Sequence, residues 1–98
     1  MIRVIYGWRV APENFEAFQN CWIETTNRIH ESVPGARGSF MLRGQGAEDE
    51  VLTVARWDSM AAWQTFWGNR DPEQMEGMRA LGAPVSVQVY DEIGDFTR

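Results

Sequence analysis

An α+β fold of the ferredoxin-like type, ordered strand, helix, strand, strand, helix, strand, is predicted from three features of the chain. Apolar residues alternate through the first ten positions, and three later segments are extended in character. Between the extended segments lie two stretches with apolar residues at helical spacing. Proline and glycine mark the joints. Two interleaved βαβ units of this kind build a four-stranded antiparallel sheet with its helices on one face.

In the first strand Ile2, Val4, Tyr6, Trp8 and Val10 share one face, and Arg3, Ile5, Gly7 and Arg9 the other. Pro12 suits the first turn of a helix spanning roughly residues 12–33, with Phe15, Phe18, Trp22, Ile29 and Val33 on its apolar side. Pro34-Gly35 stops it. A second strand runs from about Ala36 to Arg43, a polar hairpin loop covers Gly44 to Asp49, and a third strand covers Glu50 to Trp57. Asp58 or Ser59 caps the next helix, which carries Met60, Trp63, Phe66 and Trp67 and breaks at Gly68-Asn69-Arg70. Asp71-Pro72-Glu73 starts a short helix containing Met75, Met78 and Leu81, and Gly82 ends it. The last strand is expected over Val85 to Ile93, followed by a loose terminus.

The 98 residues are expected to form one domain, residues 1–98. All nine basic side chains are arginine, so a lysine Schiff base and a Gly-Lys-Ser/Thr phosphate loop are excluded. A net charge of −5 has the wrong sign for tracking phosphates, which argues against nucleic acid. The single Cys21 and single His30 permit neither an intrachain disulfide nor a Cys/His metal site. They lie nine residues apart on one helix, roughly 13 Å, too far for a catalytic pair. His30 is expected to act as a helix-end cation and Cys21 to be inert. Neither a signal peptide nor a run of about 20 apolar residues is present, so a cytoplasmic, membrane-free location is expected.

Ile5, Met41, Leu52 and Val54 fall opposite the helix-facing parity, which leaves the second face of the sheet apolar. A homodimer packed through these sheet faces is the simplest cover, with Arg3, Arg37, Arg43 and Arg56 near its margin. The hydroxyls of Tyr6 and Tyr90 are expected to point toward a pocket or toward that seam, the seam being the commoner place for tyrosine. The five tryptophans allow two accounts. Core packing is the expected role of Trp8 and Trp22, because each indole buries about 150–250 Å². The other account is a pocket for a planar apolar ligand, lined by Trp22, Trp57, Trp63, Trp67, Phe66, Met75 and Met78. Thr53 and Trp57 are two pleats apart and share a strand face.

Through Pro34-Gly35-x-x-Gly38, and Trp57-Asp58-Ser59 followed by Ala62-Trp63, the chain resembles the antibiotic biosynthesis monooxygenase family of the dimeric α+β barrel superfamily. Length and element order agree. The resemblance implies a homodimeric barrel with a pocket between sheet and helices in each subunit. It further implies oxidation of an aromatic phenolic or quinol-type molecule by O2 without metal, flavin or other cofactor. Quinone-forming members place an asparagine four residues before a strand tryptophan, a tyrosine early in the next helix, and an arginine after the helix break. Here Trp57 matches the tryptophan, Thr53 stands at the asparagine, Trp63 stands at the tyrosine, and Arg79 lies one residue from the arginine position. The catalytic set carried over is thus Trp57, Thr53 and Arg79. Trp57 and Trp63 would contact the ring, Thr53 would orient an oxygen and Arg79 would stabilise charge. A non-catalytic domain that binds a small hydrophobic molecule is the alternative. Haem degradation is a distant one, since the second-helix region has no histidine and the first strand offers Tyr6, Gly7 and Trp8 instead of an asparagine.

Overall fold

The computed structural model describes residues 1–68 and 72–97. Strand β1 (Ile2–Arg9) leads through a 3-10 turn at Pro12–Asn14 into helix α1 (Phe15–Ser32). Strands β2 (Ala36–Gly44) and β3 (Ala47–Trp57) follow, then helix α2 (Met60–Trp67). A 3-10 turn at Glu73–Met75 opens helix α3 (Glu76–Leu81), and strand β4 (Ala83–Asp91) completes the sheet. The strand order is β2-β3-β1-β4 with every neighbouring pair antiparallel, as the split βαβ pattern requires.

Several joints differ from expectation in extent. The hairpin loop shrinks to Gln45-Gly46, because Gly44 ends β2 and β3 already begins at Ala47, which pairs with it. Pro72 precedes the 3-10 turn and does not occupy the first helical position. The helix break at Asn69-Arg70 and the cap at Asp71 fall outside the described residues. Ser59 caps α2 as expected, its hydroxyl accepting from the Ala62 amide at 3.1 Å.

The helix-covered face of the sheet carries the core. Ile2, Val4, Tyr6 and Trp8 of β1 lie opposite Trp57, Ala55, Thr53 and Val51 of β3, and most of these side chains are buried. Met41 joins this face, which corrects its expected place on the other one. A β-bulge is responsible: Ala36 pairs with Trp57 and Ser39 with Ala55, so Arg37 and Gly38 together oppose Arg56. The inserted residue flips the parity of the rest of β2. Ser39, Met41 and Arg43 therefore turn towards the helices, and the Arg43 guanidinium stacks over the Phe15 ring at 4.3 Å.

Phe40 and Leu42 take the open face instead, beside Ile5, Leu52 and Val54. Phe40, Leu42 and Leu52 remain 46%, 48% and 40% exposed. At one end of this face Glu92 binds two arginines, accepting from Arg3 Nε at 2.6 Å and from Arg56 Nη2 at 2.8 Å. Arg37 pairs elsewhere, with Asp58. Tyr90 lies exposed on the open face, whereas Tyr6 faces the helices and is buried, away from the expected seam. Among the described residues no helix is long and apolar enough to cross a membrane.

Candidate functional site

The glycine turn after α1 has a mechanical meaning. Gly35 adopts φ +90°, and a Cβ placed there would come within 2.6 Å of the Ala62 Cβ. The Gly35 carbonyl accepts the Asp58 amide at 2.9 Å. The turn after α1 is thereby docked onto the β3–α2 junction, and Trp57 is held beside it. A cavity opens on the inner side of this joint, where the bulge in β2 parts the sheet.

Its walls come from every layer. Trp22, Thr25, Thr26, Ile29 and His30 descend from α1. Ala36, Gly38 and Ser39 form the bulged edge, Thr53 and Trp57 the floor with Tyr6, and Phe66, Met75 and Met78 close the far side. The cavity holds about 50 Å³, a third of the roughly 150 Å³ that accommodates benzene in an engineered core. A second cavity of about 290 Å³ lies behind it, lined by Trp8, Trp67, Arg79, Pro84, Val85 and Val87 among others. Tyr6 and Met75 line both and form the partition.

The expected site residues divide between these spaces. Thr53, Trp57, Trp22, Phe66, Met75 and Met78 meet around the first cavity. Trp67 and Arg79 stand in the second, where Arg79 donates to the Pro72 carbonyl at 2.9 Å. Trp63 lines neither cavity: it is packed in the core with its indole stacked on Trp67 at 5.6 Å. The Trp57 ring leans on Phe66 at 5.2 Å and 32°.

Hydrogen bonding around the first cavity follows one pattern. Trp63 Nε1 donates to the Tyr6 hydroxyl at 3.0 Å, Trp8 Nε1 to Thr53 Oγ1 at 3.1 Å, and Trp22 Nε1 to Ser39 Oγ at 2.8 Å. An indole N–H can only donate, so each of these hydroxyls accepts. Three tryptophans thus spend their polar atoms on three hydroxyls that line one cavity. Burial pushes the Tyr6 hydroxyl up to about 12, against a smaller downward pull from the Trp63 N–H, so it stays protonated at any ordinary pH. His30 Nδ1 lies 3.0 Å from the Ala36 carbonyl oxygen.

Sequence reading missed Ser39 and His30 as cavity residues, and it held the pocket only as the second choice for Tyr6. Alternation did place Tyr6 on the inner face, which was the available signal. Ser39 was masked by the bulge, and nothing local reveals that α1 ends with His30 over the Ala36 carbonyl. Among the described residues no group of three His, Cys, Asp or Glu side chains could hold a metal ion.

The sheet order, with an aromatic, hydroxyl-edged cavity beneath the first helix, defines a ferredoxin-like α+β protein. The sequence profile of the antibiotic biosynthesis monooxygenase family matches residues 1–76, and the chain belongs to that family. Solved structures agree in fold. A candidate antibiotic biosynthesis monooxygenase from Caulobacter crescentus CB15 superposes with a TM-score of 0.75 at 20% identity, covering 95% of this chain and 90% of its own. Another from Deinococcus radiodurans gives 0.74 at 10% identity over 100% and 98%. SnoaB, a cofactor-independent oxygenase from Streptomyces nogalater, gives 0.73 at 15% identity over 99% and 97%. A comparison with curated proteins finds no match.

Proposed function

We propose that the protein is a cofactor-independent monooxygenase that oxidises a phenolic or quinol-type aromatic molecule with O2, working as a homodimer of one-domain subunits. The observation that carries this reading is the composition of the first cavity. Flat rings from Trp22, Trp57 and Phe66 supply apolar contact, while Tyr6, Thr53 and Ser39 supply hydroxyls at its edge. In such a scheme the substrate provides the electrons, and the protein contributes desolvation and hydrogen bonds to the anion that reacts with oxygen. Similarity to SnoaB, itself a cofactor-independent oxygenase, supports the same direction.

Trp57 makes the ring contact. Thr53 has its oxygen occupied by Trp8, so it orients a substrate oxygen as a donor. Arg79 acts from the second cavity, on a substituent that passes the partition. Admission of a ring requires the 50 Å³ space to grow, and Met75 is the side chain suited to yield, being unbranched and shared with the larger cavity. The dimer forms through the open sheet face, where Phe40, Leu42 and Leu52 would leave water.

The test is oxygen uptake by the purified protein with a panel of dihydroxyanthracene-type substrates, with and without a chelator. Uptake unaffected by the chelator is expected and should fall at least tenfold in Trp57→Phe, while the folded fraction is unchanged. No uptake with any of them, together with ligand quenching of tryptophan fluorescence, would replace the enzyme by a binding module. Haem does not fit these residues: the second-helix region carries no histidine, and the cavity is far smaller than a macrocycle.

A further inference from the structure

The direction of each hydrogen bond around the first cavity leaves a set of unspent hydroxyl protons in its lining. Tyr6 and Thr53, 6% and 3% exposed, each accept an indole N–H, and among the described residues neither finds an acceptor for its own proton. Ser39 accepts from Trp22 and shares one bond with Thr26 Oγ1 at 3.3 Å. Whichever of that pair donates, one hydroxyl proton is left over. Buried donors without acceptors are rare and call for an occupant.

His30 supplies the complement. Its Nδ1 faces a carbonyl oxygen, which can only accept, so Nδ1 carries the proton. In the neutral ring this fixes Nε2 as the basic nitrogen. The ring lines the cavity and also a surface groove shared with Glu31, Arg37 and Asp58, so a proton taken up there can pass to water. Among the described residues no carboxylate lines the cavity, and the Arg56 guanidinium is held by Glu92 on the opposite face of the sheet. An anion formed inside meets no like charge in the wall.

We infer that His30 is the base that ionises an acidic O–H group of the ligand, a phenol or an enol. The hydroxyls of Tyr6, Thr53 and the Ser39–Thr26 pair then hold the resulting oxyanion. The ligand O–H bond breaks, the proton bonds to Nε2, and the electron pair stays on oxygen. The imidazolium so formed keeps its Nδ1–H on the Ala36 carbonyl. This assignment rests on the aromatic-ligand reading of the cavity, but it involves no oxygen chemistry and is tested without any.

The probe is 4-nitrophenol under nitrogen, at a pH where the free probe is mostly the colourless neutral phenol. Binding to the wild-type protein should raise the yellow phenolate band. His30→Gln, a surface substitution whose amide can still donate to Ala36, should bind the probe as neutral phenol and lose at least tenfold in apparent affinity for the anion. Added imidazole should restore the band in His30→Ala. Tyr6→Phe should keep the band but bind the anion about tenfold more weakly, the effect of losing one hydrogen bond to a charged group. Phenolate bound equally by wild type and both His30 variants overturns the role of His30. Neutral phenol bound by all of them overturns the inference while leaving the aromatic cavity standing. No binding of the probe overturns both.

Discussion

Thr53 illustrates how one side chain serves packing and chemistry together. Its oxygen satisfies the buried Trp8 indole at 3.1 Å while its hydroxyl edges the cavity. Thr53→Val preserves shape but strands that N–H, which should cost about 1–3 kcal/mol. Urea unfolding should show a lower midpoint with an unchanged slope. Thr53→Ser should recover most of the loss. In a double-mutant cycle with Trp8→Phe, the coupling should be about 0.5–3 kcal/mol; additivity would show that the bond carries no energy. Of this, the sequence made legible that Thr53 and Trp57 share a face, because pleat parity is a local property. It did not reveal the Trp63–Tyr6 or Trp22–Ser39 bonds. A helical position says nothing about which strand residue 57 or 17 positions away will face it.

Elements show where local reading succeeds and where it slips. The order and type of the strands and main helices were readable from periodicity and from Pro34-Gly35 and Ser59. Met41 was misplaced because a two-residue period counted through Arg37-Gly38 assumes a regular ladder, and the bulge there adds a step. The glycine motif beside it was read as a turn signal alone. Its tighter role is the close approach of Gly35 to Ala62. Gly35→Ala should lower stability by about 1–3 kcal/mol through the positive φ alone, with the steric contact adding to it. Pairing it with Ala62→Gly should return only the contact part in thermal melts. Full recovery would mean that the backbone at Gly35 is unstrained.

At the scale of the whole molecule, the proposed dimer makes the open sheet face the place to test behaviour in solution. Leu52→Glu places a charge among Phe40, Leu42 and Ile5, and light scattering should report a shift from a particle of twice 11.2 kDa to one of 11.2 kDa. A wild-type monomer in dilute solution would remove the dimer. Acid should also act here. The hydrogen bond from Arg3, reinforced by Arg56, holds the Glu92 carboxyl below the usual glutamate range. The unfolded chain therefore takes up the proton first as the pH drops. The contribution of Glu92 is complete above the ordinary glutamate range and is lost as the pH falls through it towards the lowered folded value. Glu92→Gln should flatten that acid limb of the unfolding profile.

The stacked pair Trp63 and Trp67 has an optical consequence. The indoles lie 5.6 Å apart with only 18° between their planes. One is tethered to the Tyr6 partition and the other walls the rear cavity. Chromophores so close and so nearly parallel share their electronic excitation, and a small rotation of either alters the circular dichroism they produce jointly. Occupancy of either compartment should therefore register in the near-ultraviolet spectrum without any label, as a signal intrinsic to the folded chain.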